Sequence, residues 1–164
     1  GSGAYSITFA RAKDDIEADI LDVAAVVPIA QRHIKEAGLA DRVKTRVGSL
    51  HDDAYGTGYD LVLLSAICHM LGPDDNRAML RKVFDALAPN GRVVIQDFIM
   101  NAHKTGPRTG ALFALNMLVG TRAGSTYSED EYGQWLQDAG FDDVHRARLP
   151  GPTDLVIGRR PSTG

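Results

Sequence analysis

The sequence is poor in the features that mark secreted, membrane-spanning or nucleic-acid-binding chains. It holds one cysteine, Cys68, in 164 residues. No internal disulfide framework can form, and a reducing, cytoplasmic compartment is expected. No apolar run approaches the roughly 18 to 20 residues needed to cross a bilayer, so no membrane partner is expected. No charged-then-apolar leader precedes the first helical segment. Lys and Arg total 18 against 21 Asp and Glu, for a formal net charge of −3. They form no basic stripe, which argues against nucleic acid. The densest basic pair, Arg159-Arg160, adjoins a Pro/Ser/Thr/Gly tail and reads as a solvated end. His33, His51, His103 and His145 share no ligand spacing, and no cluster of His, Cys and carboxylates suggests a metal. What remains is an ordinary globular composition, 44% hydrophobic and 24% charged. The chain is long enough for one domain around a sizeable core.

Two kinds of segment alternate. Glu17 to Asp22 reads as a short strand ending in an acid. Val26, Val27, Ala30, Ile34 and Ala37 then share one helical face, and Gly38 supplies a stop. Val43 to Val47 alternates apolar and basic residues, as a strand with one covered face would. "YDLVLLS", Tyr59 to Ser65, is a nearly continuous apolar run and predicts a strand buried on both faces of a parallel sheet. The Tyr55 to Tyr59 stretch ahead of it reads as a turn. Pro73 opens a helix through Met79, Leu80, Val83, Phe84 and Leu87, which "APNG" ends. Gly91 to Met100 predicts another buried strand, and Ala111 to Val119 an apolar helix. Ser128 with Glu131 forms a capping box for a last helix that runs to Gly140. Val144 to Leu149 and Leu155 to Arg159 then pair as closing strands. Alternation of this kind implies a doubly wound, mostly parallel α/β sheet with ligands at the carboxyl ends of its strands.

The chain opens on Gly1-Ser2-Gly3. Glycines at a strand-to-helix turn let backbone approach a ligand, and the helix that follows offers free N–H groups. An engineered linker has the same letters. Asp22 lies 19 residues beyond Gly3, at the end of the next expected strand. A carboxylate there can accept hydrogen bonds from both hydroxyls of a ribose; it can equally cap the helix near Ala25. A nicotinamide fingerprint wants glycine three positions after Gly3, where Ser6 stands. The spacing therefore leans toward a nucleoside cofactor without a pyrophosphate, and a nicotinamide-dependent oxidoreductase is disfavoured.

"GSGAYSITFA", "ILDVAAVVPIAQRHI", "GLADRV", "GYDLVLLSAICHML", "LRKVFDALAPNGRVVIQDFIM", "LFALNMLVGT" and "YSEDEYGQWLQDAGF" follow one another along the chain. In this order and spacing the sequence resembles the catalytic domain of class I S-adenosylmethionine-dependent methyltransferases, over Gly1 to about Gly158. More narrowly it resembles the small-molecule O-methyltransferase branch that includes plant phenolic and bacterial polyketide enzymes. The resemblance implies a Rossmann-like methyltransferase sheet, mostly parallel with an antiparallel closing strand. Residues 1–160 would form that domain and 161–164 a flexible tail. The family's first strand, the leading acid of its glycine loop and its N-terminal helical region have no counterpart here. Loss of a central strand would leave its two neighbours with unpaired edges.

By the same resemblance Gly1 and Gly3 match the last glycines of the cofactor loop. Asp22 matches the acid on the cofactor ribose, and Val23 lies beside the adenine. Ser49 and Leu50 fall near the adenine too, with Ser49 where the family has Asp. Ser65 faces the methionine part of S-adenosylmethionine. His69, at the carboxyl edge of the sheet, matches the general base of many plant-type members. A neutral imidazole can take a phenolic proton as oxygen attacks a methyl group; a packing or capping histidine is the plainer alternative. The family's usual acid after this His is Met70 here, and its other acidic positions are Asp97, a shorter acid, and Thr126. Met100, Leu115, Asn116 and Val119 match the substrate-facing wall. The implied partners are a small-molecule methyl acceptor and a second copy in a homodimer. A catalytically silent methyltransferase-like domain, acting as a binding or oligomerisation module, is the alternative function.

Overall fold

The computed structural model describes residues 1–162; the last two residues of the expected 161–164 tail lie outside the described residues. The chain divides into two compact units, Gly1–Ala54 and Tyr55–Gly164.

The first unit runs α1 (Ala4–Ala12), β1 (Ala18–Asp22), α2 (Val27–Glu36) and β2 (Val43–Val47). Ile7 and Ala10 of α1 and Ala30 and Ile34 of α2 stand at helical spacings of three and four. They bury that stripe with Leu39 and Val43 against Ala18 and Ile20 of β1. Pro28 sits in the first turn of α2, where its missing N–H costs nothing. Gly38, at φ 70°, lets the chain leave that helix in the left-handed conformation. β1 and β2 run parallel, in register from Ala18 with Val43 to Asp22 with Val47.

The second unit holds β3 (Tyr59–Ser65), a short helical turn at Cys68–Met70, α3 (Pro73–Ala86) and β4 (Leu87–Asp97). It continues through β5 (Ile99–Met100), α4 (Arg108–Gly120), β6 (Tyr127–Ser128), α5 (Glu129–Asp138), β7 (Asp142–Ala147) and β8 (Asp154–Arg159). Its main sheet has the order β3-β4-β8-β7. β3 and β4 are parallel, while β8 runs antiparallel to both β4 and β7. This is the parallel sheet with an antiparallel closing strand that the sequence implies. Among the described residues β1 pairs with β2 alone and β3 with β4 alone, so each of these two strands has one open edge.

Two expectations are corrected. β3 is not buried on both faces: Leu64 is buried, but Leu61 is 46% exposed. A strand bonded on one side has neighbouring side chains on that side only, so its apolar run is half covered. The single strand expected over Gly91–Met100 breaks after Asp97. Ile99 and Met100 leave the main sheet to pair with Tyr127 and Ser128 of β6. Asp97, the last residue of β4, turns its carboxylate toward the turn after β3.

Behind the sheet, Met79, Leu80 and Val83 of α3 and Tyr132, Trp135 and Leu136 of α5 are buried. Tyr127, Tyr132 and Trp135 meet edge to face at centroid distances of 4.8 to 6.0 Å. The expected capping box forms: Ser128 Oγ accepts the Glu131 N–H, and Glu131 accepts the Ser128 N–H. Glu131 also accepts from Lys104 Nζ at 2.8 Å. Partial burial alone would raise its carboxyl, but the Lys104 and Ser128 bonds outweigh that and hold it below the ordinary value of 4.5.

Ser128→Ala should cost about 1 kcal/mol in chemical denaturation. A depressed carboxyl contributes stability that is fully present above its ordinary value and is lost as pH falls through the folded one. Stability should therefore decline as pH drops below 4.5, and Lys104→Met should flatten that decline.

Candidate active site

In the second unit the site begins with a strained turn. Ala66, directly after β3, has φ 56°, a left-handed conformation that is unfavourable for a residue with a Cβ. Its N–H is held by the Gln96 carbonyl at 3.0 Å. The chain is thereby turned into Cys68–Met70, beside the end of β4. There Asp97, 1% exposed, receives the His69 ring Nδ1 at 2.8 Å and the His69 backbone N–H at 3.1 Å. Asp97 Oδ1 also accepts the Phe98 N–H at 2.8 Å.

This geometry assigns the tautomer. A carboxylate oxygen accepts, so Nδ1 directs a proton at Asp97, and whenever the ring is neutral Nε2 holds the lone pair. The structure thus presents a histidine whose Nδ1 is committed to a buried carboxylate that fixes the orientation of the ring. His69 is 7% exposed. Phe113 of α4 lies edge-on to its ring at 4.8 Å, and Phe98 stacks on Phe113 at 4.2 Å. The two phenyl rings keep water from most of the imidazole.

Residues that sequence reasoning passed over build the rest. Asn76, fully buried in the first turns of α3, donates Nδ2 to the carbonyls of Cys68, Leu71 and Gly72 at 3.0, 3.2 and 3.2 Å. It ties both sides of the His69 turn to one side chain. Gly124 approaches the same turn so closely that a Cβ would stand 2.3 Å from the His69 carbonyl oxygen. Ser125 N–H then bonds that oxygen at 3.0 Å. An asparagine in a helix start and a glycine in a loop carry no chemical signature, and only the fold reveals them. The Cys68 thiol is fully buried, and burial together with the Asp97 charge pushes its pKa well up. It is an inert core thiol.

The remaining residues expected in this unit are dispersed. Ser65 Oγ, at the end of β3, donates to Gln96 Oε1 at 3.0 Å. Met100 is 1% exposed and packs under α4, where its sulfur would lie 2.5 Å from a Cβ placed on Gly110. Leu115, Asn116 and Val119 lie on the open side of α4, with Val119 88% exposed.

In the first unit the expected cofactor residues do converge. Gly3 ends the glycine loop at φ 80°, and a Cβ on it would meet Ile20 Cδ1 at 3.0 Å. The position thus has the conformation and the close approach that glycine permits, and it serves as the N-cap of α1. The Gly1 nitrogen lies against the Asp22 carboxylate. Asp22 Oδ1 accepts the Val23 N–H at 2.8 Å, and Val23 is exposed. Gly48 N–H bonds the Asp22 carbonyl at 3.0 Å, which sets the loop after β2 beside the end of β1. On that loop Ser49 Oγ accepts from His51 N–H and donates to Asp52, and Leu50 is half-buried. An acid at the strand end, a bare glycine loop and an apolar neighbour thus lie within one small unit.

The family model for the O-methyltransferase domain matches residues 1–142. The chain belongs to this family. Among curated O-methyltransferase-domain relatives it is 36% identical, over 96% of its length, to the 3-hydroxy-5-methyl-1-naphthoate 3-O-methyltransferase of Streptomyces sahachiroi. It is 35% identical, over 98% of its length, to the L-tyrosine C(3)-methyltransferase of Streptomyces lavendulae. These alignments cover 46% and 45% of the relatives, so the chain spans under half of their length. The crystal structure of the S-adenosylmethionine-dependent methyltransferase SibL in its apo form superposes with a TM-score of 0.88 at 33% identity. That match covers 98% of this chain and 48% of SibL. The methyltransferase fold is thereby established. No helix among the described residues is long and apolar enough to cross a membrane.

Asn76→Ala leaves three buried carbonyls without this donor and should cost about 1–3 kcal/mol in denaturation. Gly124→Ala should displace the His69 turn, which a shifted His69 ring resonance in NMR would report.

Proposed function

We propose that the protein is an S-adenosylmethionine-dependent O-methyltransferase acting on the hydroxyl of a small phenolic or polyketide-type aromatic. The observation that carries this reading is the His69–Asp97 pair. A histidine with one nitrogen committed to a buried carboxylate offers the other as a base of fixed direction.

The residues of the first unit fit the cofactor. Asp22 would accept the ribose hydroxyls, the Gly1–Gly3 backbone would pass close to it, and Val23, Ser49 and Leu50 would border the adenine. Ser65 would face its amino-acid end. S-adenosylmethionine, when bound, supplies an electrophilic methyl group. The chain's own contribution to the chemistry is at His69: Nε2 takes the proton of the acceptor hydroxyl, and Asp97 stabilises the imidazolium that forms. No acid need protonate a leaving group, so one base and correct alignment suffice. Phe98 and Phe113 exclude water from the ring and present apolar faces toward an aromatic acceptor. Met100, Leu115, Asn116 and Val119 are assigned to the acceptor wall. The exposed apolar side of α4, including Leu112 and Leu118, also supports a homodimer contact. The single buried thiol supports a reducing, cytoplasmic setting.

The likeness to a C(3)-methyltransferase favours a second reading, in which deprotonation activates the ring carbon beside the hydroxyl. Proton NMR of the product separates O-methyl from C-methyl.

Calorimetric titration with S-adenosylhomocysteine should show binding that Asp22→Ala weakens about 10- to 100-fold, the worth of hydrogen bonds to a charged acceptor. With 3-hydroxy-5-methyl-1-naphthoate as the probe acceptor, His69→Ala should lower turnover about 10²- to 10⁴-fold while S-adenosylhomocysteine affinity stays unchanged. An unchanged rate removes His69 from the mechanism, and absent binding removes the cofactor assignment.

A further inference from the structure

Behind the His69–Asp97 pair lies a buried donor that the mechanism above does not use. Tyr132, on α5, has no exposed surface, and its hydroxyl has no hydrogen-bond partner in this arrangement. A buried hydroxyl left unpaired is costly, so such a group is retained where it has a partner to reach. Burial raises its pKa well above the ordinary tyrosine value, and the Asp97 carboxylate beside it adds to the rise.

Asp97 has the complementary property. A carboxylate offers about four lone-pair positions. His69 Nδ1 and Phe98 N–H bond Oδ1, whereas Oδ2 accepts only the His69 backbone N–H among its hydrogen bonds. The titratable groups facing this carboxylate are His69 and Cys68 from the turn after β3, Tyr127 from β6 and Tyr132 from α5. Tyr127 already donates its hydroxyl to the Leu71 carbonyl. The Cys68 thiol is a weak donor. Tyr132 is the strong donor left for the open position.

We propose that Tyr132 is a positioning residue for the transfer reaction: its hydroxyl closes onto Asp97 Oδ2 and, through that carboxylate, limits how tightly Asp97 holds the His69 ring. This rests on the reading of His69 as the base. A bond from Tyr132 draws charge away from the oxygens that face Nδ1. The imidazolium formed during transfer is then held less strongly, and the proton is returned more readily for the next turnover. Without Tyr132 the whole carboxylate charge falls on the His69 bond.

The test uses protein labelled with 15N-histidine, the His69 signals being assigned by their loss in His69→Ala. Tyr132→Phe, which deletes one oxygen, should move the Nδ1 proton resonance downfield as the Asp97 bond tightens. It should also move the acid limb of the pH–rate profile for the naphthoate to higher pH. Tyr127→Phe removes a hydroxyl from the same ring cluster and should leave the His69 signal in place. An unmoved Nδ1 proton in Tyr132→Phe, or an equal movement in Tyr127→Phe, overturns the proposal. In the unsubstituted protein the Tyr132 hydroxyl proton should be protected from solvent exchange and show a nuclear Overhauser effect to the Asp97 β-protons; absence of that effect also overturns it. The His69 signal is read without turnover. A shifted signal in a protein that does not methylate would sink the methyltransferase reading and leave the Tyr132 coupling standing.

Discussion

The second unit depends on one buried negative charge. Asp97 is 1% exposed, and an isolated carboxylate in such a place would carry a desolvation cost of several kcal/mol. It is tolerated because three N–H groups converge on it, two of them from His69. The dependence runs both ways. The carboxylate needs the turn after β3 in one conformation, and that turn has one conformation because the carboxylate demands it. The strained Ala66, the Asn76 side chain spanning three carbonyls and the absence of a side chain at Gly124 follow from the same requirement. Each would be an oddity alone. Together they hold a histidine ring in place.

The break in β4 is the structural means. Leaving the main sheet after Asp97 allows β5 to pair with β6, and β6 leads directly into the capped α5 that carries Tyr132 and Trp135. One local irregularity therefore joins the edge of the sheet that carries Asp97 to the aromatic cluster of Tyr127, Tyr132 and Trp135.

Much of this was legible in the sequence. The strand and helix order could be read because periodicity is local: Val27, Ala30 and Ile34 make a helical face by themselves, and Ser128 with Glu131 names its own helix start. Gly3 and Asp22 were legible as a pair because the glycine loop and the acid have a characteristic separation. His69 was found through the position of its strand end and a resemblance, while Asp97 was noted only as an acid shorter than the family's. What could not be read was mutual placement. Nothing in "APNGRVVIQDFIM" announces that the strand parts after Asp97, because the residues on both sides of the break are equally strand-forming. Asn76 reads as an ordinary polar residue on an amphipathic helix, since its partners are backbone atoms that have no letter in the sequence. The same limit explains β3. Its letters record how apolar the strand is and not how many neighbours it has, so Leu61 reads as buried and stands exposed.

The proposed reaction asks little of the polypeptide, which accords with the shape of the site. Methyl transfer to an ionised oxygen creates no oxyanion to be cradled and releases no group that must be protonated. The demands are a base of fixed direction, exclusion of water and alignment. Around the His69 ring the structure supplies one carboxylate, from Asp97, and two phenyl rings, from Phe98 and Phe113. In the proposed reaction a second negative charge there would hold His69 as imidazolium before the acceptor arrives and leave less of it as free base. Burying one charge deeply, at Asp97, orients His69 without adding a second ion beside its ring.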